Sequence, residues 1–75
     1  MISEKLKQII LHELDLKEFD LKDETTADMV PGWDSLNHMN IIISVEKEYN
    51  LKFKGLEIIR IQNLGDIQKL IDSKT

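Results

Sequence analysis

Seventy-five residues carrying a formal net charge of −4 and no cysteine make one small domain without a disulfide framework or a thiolate metal site. A chain this short buries only roughly 60–65% of the surface its unfolded form exposes, which leaves little room for a water-excluded cleft with several catalytic groups. With 41% hydrophobic and 32% charged residues the composition is globular rather than disordered; no apolar run suits a signal peptide or a membrane span, and a cytoplasmic protein is expected.

Ile2, Leu6, Ile9, Ile10 and Leu14 recur at helical spacing behind Ser3, a good N-cap, and predict a first helix of about three turns ending near Leu14. His12 falls on its polar side. Residues 15–34 show no sustained period. They hold seven acids (Asp15, Glu18, Asp20, Asp23, Glu24, Asp28 and Asp34) against Lys17 and Lys22, a net of −5, while the rest of the chain sums to +1. Such a surface disfavours nucleic acid and favours a basic protein surface. Twenty residues without regular structure are uncommon inside a small domain. Leu16, Phe19, Leu21, Ala27, Met29 and Val30 are expected to pin this loop onto the core, with room for one helical turn. Pro31-Gly32 then breaks the chain sharply.

Asp34 is a second strong N-cap, which places Ser35 as the first residue of a helix running to about Tyr49. Set at 100° intervals, Leu36, Met39, Ile41, Ile42, Ile43, Val45 and Tyr49 cover more than half its circumference and predict a central helix touching several neighbours. Asn37, Asn40, Ser44, Lys47 and Glu48 form a narrow polar stripe. His38 and Glu46 fall inside the apolar arc and are expected to send their polar ends to water. Trp33, just before the cap, is placed either to pack over His38 as a staple-like contact or to stand exposed for a partner. After Asn50 an extended stretch leads to Gly55, and Leu56, Ile58, Ile59 and Ile61 predict a short helix of one or two turns, since a lone strand would have no partner. Asn63-Leu64-Gly65-Asp66 resembles a capping box, opening a last amphipathic helix through Leu64, Ile67, Leu70 and Ile71 to about Asp72. The fold class is all-α: three main helices and one short helix in a small four-helix bundle with a long ordered first loop, a single domain over residues 1–75.

Ser35 is the residue on which chemistry converges. Gly32-Trp33-Asp34-Ser35-Leu36 is not the G-x-S-x-G nucleophile elbow, because Leu36 stands at the last glycine. Nor does the chain supply the large α/β domain that carries the histidine of Gly-Asp-Ser-Leu esterases. His38 lies on the same helix but points away from the hydroxyl, so Ser35 lacks a base. No glycine-rich phosphate loop and no metal-ligand cluster is present. A helix N-terminus with free N–H groups suits an attached anion; equally, Asp34-Ser35 is a mere helix start, as it would be in a non-catalytic helical interaction domain.

Asp34-Ser35-Leu36 at the start of a broad apolar helix, after a long acidic loop and before a short helix and a final amphipathic one, resembles an acyl carrier protein over essentially all 75 residues. The resemblance implies no enzyme but a carrier. Ser35 would receive 4′-phosphopantetheine from coenzyme A through a separate, Mg²⁺-using phosphopantetheinyl transferase, with Asp34 as cap and transferase contact. The arm would hold acyl groups as thioesters and present them to acyl-loading and acyl-transferring enzymes. Trp33, Leu36, Asn37, Met39 and Asn40 would form the docking surface of a monomer that neither enters membranes nor binds a metal. Where fatty-acid carriers have Leu-Gly before the motif and acids along the second helix, this chain has Pro31-Gly32-Trp33, Asn37 and Asn40, with Lys47 nearby. Those departures resemble specialised stand-alone carriers and point to a dedicated pathway, saccharide modification or secondary metabolism, rather than bulk fatty-acid synthesis. Fatty-acyl, aminoacyl and D-alanyl cargo all stay open, as does whether the second helix lines an internal acyl pocket.

Overall fold

The computed structural model describes residues 1–75 and contains only helices joined by loops. The first helix, α1, spans Glu4–Glu13; a single 3₁₀ turn follows at Ala27–Met29; α2 spans Ser35–Tyr49, α3 Gly55–Ile59 and α4 Leu64–Lys74. The expected four helices are all present, and α4 runs two residues beyond its expected end at Asp72.

Each long helix starts where a side chain satisfies an otherwise orphaned amide. The Leu6 N–H donates to Ser3 Oγ at 3.2 Å, that of Asn37 to Asp34 Oδ1 at 2.8 Å and that of Asp66 to Asn63 Oδ1 at 2.9 Å. The capping box expected at α4 is shifted by one residue, because Asp66 Oδ2 accepts from the Gln62 N–H at 2.9 Å rather than from that of Asn63. Two helices close through left-handed residues that tolerate the conformation. Asp15 (φ 55°) lets the Leu16 N–H reach Leu11 O at 2.9 Å after α1, and Asn50 (φ 53°) lets the Leu51 N–H reach Glu46 O at 3.0 Å after α2.

The core is drawn from every long helix: Leu6 and Ile10 of α1, Ile41, Ile42 and Val45 of α2, and Leu64, Ile67 and Ile71 of α4 are 0–1% exposed. Tight packing of such residues is the main source of stability in so small a domain. The acidic loop lies on this core as expected, but with fewer anchors. Leu21 and Val30 are buried and Leu16 packs against the core, whereas Phe19 and Met29 face solvent. What hydrophobic anchors do not supply, polar ties do. The Gly65 N–H donates to Asp23 O at 2.8 Å and the Leu64 N–H to Thr25 O at 3.0 Å. The Asp23 carboxylate accepts from the Ile2 N–H at 2.8 Å and pairs with the Met1 ammonium at 2.8 Å. That ammonium, with the Ile2 N–H, holds the Asp23 carboxyl below its ordinary range. Gln68, buried in α4, accepts from the Ser3 N–H at 2.9 Å.

The apolar arc of α2 is only partly covered: Leu36, Met39 and Ile43 are 71%, 43% and 43% exposed, Leu36 and Met39 being residues expected on a docking surface. One expectation for α2 is corrected. Glu46 does not simply reach water. Its half-buried Oε2 accepts from the Phe53 N–H at 2.9 Å and so fixes the chain as it turns toward α3. No helix is long and apolar enough to cross a membrane.

Candidate functional site

Val30-Pro31-Gly32-Trp33 form a β-turn in which the Trp33 N–H donates to Val30 O at 3.3 Å. Proline suits the second position of that turn, and Gly32 has φ 80°, the left-handed conformation required at the third position of a type II turn. The turn ends the acidic loop abruptly and delivers Asp34 to the start of α2. Ser35 is the first helical residue and is exposed. Around it the amides of the first helical turn contribute the positive end of a 15-residue helix.

The turn is latched to α2 in two further places. Asn37 Nδ2 donates to Gly32 O at 2.7 Å, while its own N–H is the one capped by Asp34, so one residue grips both sides of the serine. Asn40 Nδ2 reaches Asn37 Oδ1 at 3.5 Å. The Trp33 indole Nε1–H donates to His38 Nδ1 at 3.1 Å, with ring centroids 6.0 Å apart and the planes tilted by 35°. Trp33 is thus half-buried against the core, in the staple-like arrangement, rather than fully displayed. Burial pushes the His38 imidazole below its ordinary value, and its Nδ1 is committed to Trp33. It is therefore not a base for Ser35. A cleft of about 540 Å³ opens beside the serine, lined by Ala27, Asp28, Trp33, Asp34, Ser35, His38 and Met39.

Of the residues singled out in the sequence, Ser35, Leu36 and Met39 lie exposed at and beyond the helix start, and Asp34 caps it. Asn37 and Asn40 are half-buried and bonded to their neighbours. The latching role of Asn37 is absent from the sequence reading; the signal for it is a side-chain amide five residues after the glycine of a Pro-Gly turn. No group of histidines or carboxylates capable of holding a metal ion is present.

No protein-family model matches the sequence. Individual relatives do. A solution NMR structure of a holo acyl carrier protein from Geobacter metallireducens superposes with a TM-score of 0.88 at 38% sequence identity, covering 95% of this chain and 82% of that one. The chain belongs to the acyl carrier protein family. Two curated relatives agree across nearly their full lengths. An acyl carrier protein of Clostridium acetobutylicum is 28% identical over 75 residues, covering 100% of this chain and 97% of the relative. One from Wolinella succinogenes is 22% identical over 72 residues, covering 96% and 95%. Ser35 is exposed at a capped helix start, so its hydroxyl can be reached without unfolding anything, and a helix terminus of this kind favours a nearby anion by about 0.3–1 kcal/mol.

Proposed function

We propose that this carrier protein holds acyl groups on a 4′-phosphopantetheine arm attached to Ser35 and hands them to partner enzymes, being itself the substrate of those enzymes and not a catalyst. The observation that carries this is the placement of Ser35: exposed, first in α2, immediately after the capping Asp34, and latched through Asn37 and Trp33. The arm would supply a thiol on which acyl groups are carried as thioesters, so a chain without cysteine needs none of its own. Asp34 uses Oδ1 for the cap, and its Oδ2 makes no bond within the protein, leaving it to contact the phosphopantetheinyl transferase.

Partner enzymes are proposed to dock over Trp33, Leu36, Asn37, Met39 and Asn40. Leu36 and Met39 supply exposed apolar surface there. The same face supports a dedicated pathway, saccharide modification or secondary metabolism, over bulk fatty-acid synthesis, because the stripe of α2 carries Asn37 and Asn40 rather than acids in its first three turns, with Lys47 beyond. The protein is read as a cytoplasmic monomer. Incubation with coenzyme A and a broad-specificity transferase, followed by intact mass, tests the attachment. The expected result is one arm per chain on the native protein and none on Ser35→Ala; equal labelling of Ser35→Ala would overturn it. The mass of the thioester-bound species from native cells identifies the cargo.

A further inference from the structure

The cleft beside Ser35 is larger than a serine needs, and its lining is selective. It is a shallow, open groove of about 540 Å³, room to lay a flexible chain along rather than to enclose a ligand. Trp33, Met39 and Ala27 are its apolar lining residues, and His38 lines it with them. Because His38 Nδ1 accepts the indole N–H, the imidazole proton resides on Nε2. That N–H makes no bond within the protein, so a residue lining the cleft keeps one free neutral donor. Asp28 and Asp34 also line the cleft. Each already accepts one hydrogen bond, Asp28 from the Thr26 hydroxyl and Asp34 from the Asn37 N–H, and two carboxylates there disfavour any anion beyond the phosphodiester held covalently at the helix start. The cleft therefore suits a neutral chain with an apolar segment and an amide carbonyl, tethered at or near Ser35.

We infer that the cleft between Trp33, His38 and Met39 is a resting site for the first half of the pantetheine arm. This rests on the attachment at Ser35. The paired methyl groups next to the phosphodiester lie against Trp33 and Met39, and the first amide carbonyl accepts from His38 Nε2–H. The arm is thereby folded along its own carrier between visits, with the thiol end projecting, and a partner enzyme draws it out by competing for Met39 and the exposed edge of Trp33. The latch between Trp33 and His38 makes both walls of the site at once.

Trp33 is the only tryptophan in the chain, which gives the test a clean reporter. The protein is converted with coenzyme A and a broad-specificity transferase, and its mass is verified. Acrylamide quenching of Trp33 and nuclear Overhauser effects between the indole protons and the arm's paired methyls are then measured. In the modified protein quenching is expected to fall by a factor of about two, since one face of the indole is covered, and the methyl-to-indole effects appear. In modified Met39→Ala, a surface change that leaves the core intact, both are expected to weaken. A shifted mass with unchanged quenching and no methyl-to-indole effects overturns the resting site while leaving the attachment standing. An unshifted mass overturns both.

Discussion

Asp34 is assigned two separable roles, and one pair of substitutions divides them. As a cap it accepts the Asn37 N–H at 2.8 Å; replacement by alanine removes that acceptor from α2 and costs about 1 kcal/mol, within a range of roughly 0.5–2. For a domain of this size such a loss lowers Tm by about 4–8 °C per kcal/mol. Asparagine caps about as well as aspartate, so Asp34→Asn is expected to melt within a degree or two of the native protein while losing the charge on the free Oδ2. If that oxygen contacts the transferase, the lost charged hydrogen bond is worth about 1.5–3 kcal/mol, and transfer slows by roughly 10- to 150-fold. Circular-dichroism melts read the first effect, and initial rates of arm transfer by intact mass read the second. Asp34→Asn melting as low as Asp34→Ala would refute the cap. Native transfer rates in a stable Asp34→Asn would refute the contact.

Three further outcomes are expected. His38 lies below its ordinary value through burial. The folded protein thus binds fewer protons than the unfolded chain just below pH 6.5, and stability falls as pH drops through that value; melts between pH 7.5 and 5.5 should show a decline that His38→Gln lacks. Ile67→Ala, at a position 0% exposed, should cost about 2–5 kcal/mol, a large part of the roughly 4–11 kcal/mol available to 75 residues, and urea titration should show a much lower midpoint or no folded baseline. Gly65→Ala sets helix propensity, which favours alanine by about 0.5–1 kcal/mol, against a Cβ that would sit 3.1 Å from Asp23 O, an oxygen fixed by the bond it accepts from the Gly65 N–H. Overpacking at about 1–3 kcal/mol wins, so Tm should fall; a rise would show that the loop yields.

The helix limits were legible because caps are local. Asp34 before Ser35, and Asn50 after Tyr49, bracket α2 where the chain itself turns in and out of helical conformation. Ser35 was legible for the same reason: its position depends on the residue before it. The extent of burial was not. Leu36, Met39 and Ile43 belong to the apolar arc of α2 yet stand in solvent, because periodicity cannot tell a face turned to the core from one left for a partner. Phe19 and Met29 misled in the same way. Polar ties escaped as well: Glu46 with the Phe53 N–H, Asn37 with Gly32 O, and Asp23 with both the chain start and Gly65 are set by geometry that only the assembled fold supplies.

The ties of Asp23 and Thr25 make the acidic loop a strap buckled at one point. Residues 17–20 are all exposed and precede the buckle, whereas Leu21 is buried and Asp23 and Thr25 join the chain start to the first turn of α4. A fluorophore, tag or short insertion is therefore tolerated at residues 17–20 and disruptive only a few residues later. The buckle also joins parts of the chain some forty residues apart, so neither half keeps its native shape without the other. A carrier expected to be gripped by a succession of enzymes is by this means held as a single rigid handle, and strain applied at the acidic loop is shared with the far end of the molecule instead of being absorbed where it is applied.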